Sequence, residues 1–123
     1  MAQTAACVDI YQQDNGTLQD AFQFGIPGDT SWSFVGKSFK MEVKQSRDDV
    51  TPVLTLSDAA GSIVVDDPVQ RILHLNVPYN IIQSNLPPSH YVHDLIMIDG
   101  SVPPIRTPLM GGKLIITRGV TED

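Results

Sequence analysis

The sequence is poor in cysteine, in cations, in aromatics and in long apolar runs, and each shortage narrows what the protein can be. Cys7 is the single cysteine, so no internal disulfide can staple the fold. It lies in Ala5-Ala6-Cys7-Val8 with no histidine or basic neighbour, which fits a small buried hydrophobe rather than a nucleophile. Lys and Arg number 8 against 14 Asp and Glu, a net charge of −6. The cations are dispersed, never four together in one stretch. The counterion-release term that drives nucleic-acid binding is therefore missing, and an anionic membrane is disfavoured for the same reason. Uninterrupted apolar runs are short, as in Leu95-Ile96-Met97-Ile98, whereas a membrane-spanning helix needs about 20 residues. Met1 to Ala6 carry neither a charged nor an apolar leader region. A soluble protein made in a cytosol is the expectation. Charged residues make up 18% and hydrophobic ones 41%, which excludes a charge-rich disordered chain. One domain over residues 1–123 follows from the length, with 1–5 and 121–123 as its fraying ends.

What is present favours strands. Val, Ile and Thr make up about a quarter of the chain, and β-branched residues suit a pleated, half-buried surface. Phe39-Lys40-Met41-Glu42-Val43-Lys44 alternates apolar and charged, the period of a half-buried strand. Leu54-Thr55-Leu56 and Leu73-His74-Leu75-Asn76-Val77 repeat the pattern, with His74 and Asn76 outward. Leu114 and Ile116 form the inward set of the last strand, with Val120 a candidate further member. Other strands are expected near 7–11, 20–24, 62–65 and 91–98. The expected core is Phe39, Met41, Val43, Leu54, Leu56, Leu73, Leu75, Leu95, Leu114 and Ile116.

The turns have their own chemistry. Ile26-Pro27-Gly28-Asp29 fits a type II turn, with Pro fixing φ and Gly taking positive φ. Asp58-Ala59-Ala60-Gly61 reads as a short hairpin with Gly61 left-handed. Asp99-Gly100 is the strongest hairpin dipeptide, and Gly111-Gly112 reads as another turn. Pro78 suits the first position of a short helix near 78–85. Ile81 and Ile82 dock it, and Leu86-Pro87-Pro88 end it. The fold class is all-β: an antiparallel sandwich, immunoglobulin-like or jelly-roll-like, with about eight or nine strands and that one helix.

No motif fixes a chemistry. His90 and His93 fall on opposite faces of a strand, with neither Cys nor Glu within a few positions to complete a ligand set. His93 shares a face with Tyr91 and Leu95 and reads as core-lining or rim. Asp94 falls on the face of Val92, Ile96 and Ile98, where an acid needs a partner or a place at a sheet edge or in an interface; a hydrogen bond with backbone amides, a hydroxyl or an arginine is favoured. Asp48-Asp49 and Asp66-Asp67 read as solvated turn residues. No nucleophile elbow or phosphate loop occurs. Trp32 and Phe34 alternate in Thr30-Ser31-Trp32-Ser33-Phe34. They are either core caps or an exposed anchor for a partner.

The C-terminal half carries His90-Tyr91-Val92-His93-Asp94-Leu95, Asp99-Gly100, Leu109, Gly111, Leu114-Ile115-Ile116 and Gly119-Val120-Thr121. With Trp32, Phe39-Lys40-Met41 and the hairpin over 57–63 upstream, this resembles a small β-sandwich domain of bacteriophage tail and baseplate proteins. That family includes the N-terminal domain of baseplate upper proteins. The resemblance spans about residues 17–121. It implies a non-enzymatic virion structural protein, assembled in the bacterial host cytoplasm, with no catalytic residues, cofactor or metal. The chain ends without running on into a coiled coil or fibre domain, which points to a stand-alone module working in many copies. Its expected partners are other virion proteins and copies of itself, with a host surface receptor as a further candidate, and neither nucleic acid nor membrane. The candidate contact residues are Trp32, Phe34, Val92, Asp94 and Ile96. A lectin-like glycan-binding module, using Trp32 and Tyr79, and a capsid decoration protein are the alternatives. An enzyme ranks third.

Overall fold

The computed structural model describes residues 6–26, 28–29 and 31–121. Pro27, Thr30 and the expected fraying ends at 1–5 and 122–123 lie outside the described residues. Among the described residues, nine strands and one helix follow in the order β1 (Ala6–Cys7), β2 (Ile10–Gln13), β3 (Ala21–Gln23), β4 (Ser38–Lys44), β5 (Leu54–Ser57), β6 (Ile63–Asp67), β7 (Ile72–Leu75), α1 (Tyr79–Asn85), β8 (Ser89–Ile98) and β9 (Arg106–Thr117). The fold is all-β, in two sheets. The larger runs β1-β9-β8-β4-β5 with β2 also on β9, and the smaller runs β3-β7-β6.

The alternation read in the sequence is the alternation of burial. Phe39, Met41 and Val43 of β4 are buried while Lys40, Glu42 and Lys44 are only half-buried. On β8 the buried set is Tyr91, His93, Leu95 and Met97. Leu73 and Leu75 of β7 are fully buried, and His74 lies between them on the other face. Inward residues of both sheets belong to one continuous cluster, closed by Ile82 and Leu86 at the helix. Leu54 is only half-buried at its edge strand, against expectation.

Several further expectations need correction. First, the sheets are not wholly antiparallel: β1 and β2 run parallel to β9. The first strands lie along the last because the backbone fits there. A Cβ at Gly112 would come 2.3 Å from the Val8 carbonyl oxygen, so only glycine admits the N-terminal segment. Second, Gly111-Gly112 is therefore not a turn but mid-strand, where glycine marks a close backbone approach. Third, Asp99-Gly100 does not make a two-residue hairpin. The connection runs from 99 to 105, and the Asp99 carboxylate accepts from the Ser101 and Ile105 amides. Those bonds hold its carboxyl below the usual carboxylate range. Fourth, Cys7 is exposed and Val120 is 96% exposed; neither packs inward.

The 58–61 turn forms but is not the expected hairpin, because it carries the chain from β5 of the large sheet to β6 of the small one. Gly61 takes φ 80° and its amide donates to the Asp58 carbonyl. Gly28 takes φ 87°, and the Asp29 amide donates to the Ile26 carbonyl at 3.1 Å. Pro78 sits one position outside the helix, as its N-cap. Its carbonyl receives the Ile81 and Ile82 amides. A register shift between Leu95 and Ile96 leaves Leu109 without a partner on β8. That bulge turns two successive residues, Leu109 and Met110, into the core.

Burial fixes the expected cost of truncation. Leu75→Ala, at a fully buried site, should lower unfolding free energy by about 2–5 kcal/mol through lost transfer energy and a residual cavity. Leu54→Ala should cost clearly less. Urea titration of the two variants against wild type checks the ranking.

Candidate functional site

The candidate contact residues fall in two places. Trp32 and Phe34 lie in the long connection between β3 and β4, which is not a strand. Phe34 is 2% exposed and packs edge-on against Phe39, with ring centroids 4.7 Å apart. Trp32 is half-buried and packs against Phe34. The segment therefore takes the core alternative, which removes Phe34 from any contact surface.

What holds that connection is Arg71, which the sequence reading passed over. Arg71 ends the β6–β7 turn in the left-handed region, at φ 60°, and is fully buried. Its Nε donates to the Phe24 carbonyl at 2.8 Å and Nη2 to Ile26 at 2.9 Å. Nη1 reaches the carbonyls of Asp29, Trp32 and Val69. The guanidinium also lies 5.0 Å from the Trp32 ring centroid, within cation–π range. The Phe24 amide returns a bond to the Arg71 carbonyl. Gly25 completes the fit: it takes φ 77°, and a Cβ there would press on Arg71 and Trp32. Arg71 forms no ion pair among the described residues, and five carbonyl dipoles around its guanidinium offset the cost of burying the charge.

Arg71→Met should cost about 3 kcal/mol or more, since it strips the donors from a set of carbonyls. Arg71→Lys should restore little, because a point charge cannot replace the planar fork. Urea unfolding measures both, and Trp32 fluorescence reports whether its cover is lost.

Val92, Asp94 and Ile96 lie together on the outer face of the large sheet. Each stands in a cross-strand row with β4: Lys44 beside Val92, Glu42 beside Asp94, Lys40 beside Ile96. On the other side β9 places Lys113 beside Val92 and Gly111 beside Asp94. Gly111 has no side chain to cover that row. The result is a shallow depression of about 150 Å³ whose lining includes Lys40, Lys44, Arg47 and Arg106 with Val92 and Ile96. Glu42 pairs with Lys40 at 3.3 Å and with Lys44 at 3.7 Å. Among the described residues Arg47 and Arg106 have no ion-pair partner. Asp94 is exposed and has no hydrogen-bond partner among the described residues, contrary to expectation. Its face meets water, so it needs none.

Directly beneath, His93 is 3% exposed. Its Nε2 donates to the Val8 carbonyl at 2.8 Å, which leaves Nδ1 of the neutral ring buried and without a partner among the described residues. Desolvation holds its pKa below the usual histidine value. The Val8 bond and the charges of Asp94 and Asp9 oppose that shift, and Arg47 adds to it. His90 is exposed on the other face, apart from His93. Among the described residues no three His, Cys, Asp or Glu converge as a metal set. Asp48 and Asp49 lie in the turn after β4, as expected, whereas Asp66 and Asp67 are not turn residues but the end of β6. Asp49 bonds Ser46, Asp67 accepts from the Val69 and Gln70 amides, and Asp66 bonds His74.

A lowered histidine pKa means the unfolded chain takes up the proton first. The stabilisation from neutral His93 is therefore complete above about pH 6.5 and lost as pH falls through the lower folded value. Wild type should lose more stability between pH 7.5 and pH 5.5 than His93→Gln, which keeps an amide donor for Val8. Paired urea titrations at the two pH values test the difference.

The sequence matches no family model. It also matches none of the curated proteins.

Proposed function

We propose that the protein is a structural module of a phage particle: a β-sandwich present in many copies that docks on neighbouring virion proteins through the outer face of β4, β8 and β9. The observation that carries this reading is the two-faced apolar character of β8. One face, with Tyr91, Leu95 and Met97, is spent on the protein's own core. The other keeps Val92, Ile96 and Ile98 only half-buried, beside a charged row on β4. Apolar side chains at the centre of a face rimmed by charge are the composition of a protein contact. The resemblance of the 90–95 strand and the segments after it to phage tail and baseplate sandwich domains supplies the setting. Two sheets that share one core support the sandwich reading. Within the candidate set, Val92, Asp94 and Ile96 carry the contact, and Trp32 supports the loop behind it. The lectin-like alternative is weakened, since Trp32 covers Arg71 and is not free to stack on a sugar.

A specific contact here should bury on the order of 1,000 Å² or more. Ile96→Lys places a further cation in the depression without touching the core. The variant should fold with wild-type stability yet be missing from purified particles, as mass spectrometry of those particles would read. Normal incorporation would remove this face from the contact. A protein found only free, and never in particles, would overturn the structural role.

A further inference from the structure

We propose that the depression over β4 and β8 is built to receive an extended, acidic segment of a neighbouring polypeptide. This deepens the docking reading above and rests on it. The first ground is charge. Four of the eight cations of a chain with net charge −6 line this one depression: Lys40, Lys44, Arg47 and Arg106. Arg71 is buried and unavailable. Two acids, Glu42 and Asp94, share the lining, so the site is locally cationic on an anionic molecule. The second ground is availability. Glu42 is engaged with Lys40 and Lys44, which leaves the forks of Arg47 and Arg106 open among the described residues. Open arginine forks suit carboxylates, which they bind with two parallel bonds.

The third ground is shape. Lys40 and Lys44 stand four residues apart on one strand, about 13 Å at strand rise. Ile96 and Val92 stand beside them on the next strand. An extended segment with acids at alternate positions sets them all on one face, and carboxylates four residues apart match that spacing. A nucleic acid fits less well. The one aromatic ring of the lining, His93, is only 3% exposed and offers no open face on which a base could stack, and the surrounding charge is of the wrong sign for a polyanion.

The probe is a synthetic octapeptide of alternating glutamate and valine, titrated into the isotope-labelled full chain at low salt. Amide shifts should cluster at Lys40, Lys44, Arg47, Val92, Ile96 and Arg106 and fade as salt rises. The exposed double variant Arg47→Glu with Arg106→Glu should keep the wild-type circular dichroism spectrum and weaken binding by roughly tenfold or more. Shifts that are absent or lie elsewhere would overturn the proposal. So would equal binding of a lysine-valine peptide, or tighter binding of a thymidine oligonucleotide at the same residues. Shifts there that grow with protein concentration alone would assign the depression to a second copy and likewise overturn it. Particle incorporation separates the two levels. If the peptide fails while Ile96→Lys is still excluded from particles, the acidic partner falls and the docking face stands. If the peptide binds as expected but Ile96→Lys assembles normally, the acidic site stands and its role in the particle falls.

Discussion

The guanidinium of Arg71 is the point on which the connection between the sheets depends. The chain leaves the small sheet at β3, crosses 14 residues and enters the large sheet at β4. Such a stretch has many backbone carbonyls and no ladder to satisfy them. Arg71 gathers those of Phe24, Ile26, Asp29 and Trp32 around one planar cation. Once they are fixed, Phe24 and Phe34 are fixed with them. Their rings bridge Phe22 of the small sheet to Phe39 of the large one. A hydrogen-bond hub thus sets the geometry of an apolar core, rather than the reverse.

A second constraint operates at the other edge of the large sheet. The N-terminal segment is held along β9 by backbone bonds, by the Asp9 carboxylate on the Lys113 amide and by His93 on the Val8 carbonyl. Gly112 permits the approach and Gly111 leaves the outer surface low above the same strand. Two adjacent glycines therefore serve two faces: one admits a neighbouring strand, the other opens a depression beside Asp94. The pairing of β1 and β2 with β9 also spans nearly the whole sequence. Contacts of such long separation close late and cost loop entropy, so they must be held by specific bonds.

The docking proposed above uses a sheet face rather than an edge. β4 and β8 each have strands on both sides, so their backbone groups are already paired. A partner can gain only from side chains, which here are Val92 and Ile96 on either side of Asp94, with four cations around them. Affinity would then come from modest apolar burial, and choice of partner from charge.

The sequence by itself determined the strands whose pattern is local. β4 and β7 alternate so cleanly that their buried residues, and the outward placement of His74, could be read directly. The helix at 79–85 and its stop at Leu86-Pro87-Pro88 were equally legible, because proline acts through its own ring. Val92, Asp94 and Ile96 could be placed on one face for the same reason of period. What only the tertiary structure decided is which elements meet. Gly111-Gly112 looked like a turn because glycine has the same local signature in a turn and at a close backbone approach, and only the Val8 carbonyl distinguishes them. Arg71 looked like one dispersed cation among eight, since its five acceptors come mostly from a segment some 40 residues earlier. The cluster of Lys40, Lys44, Arg47 and Arg106 was invisible for the same reason. Charge spacing along a chain says nothing of distance across a sheet, and it is the pairing of β4, β8 and β9 that brings those four side chains around one depression.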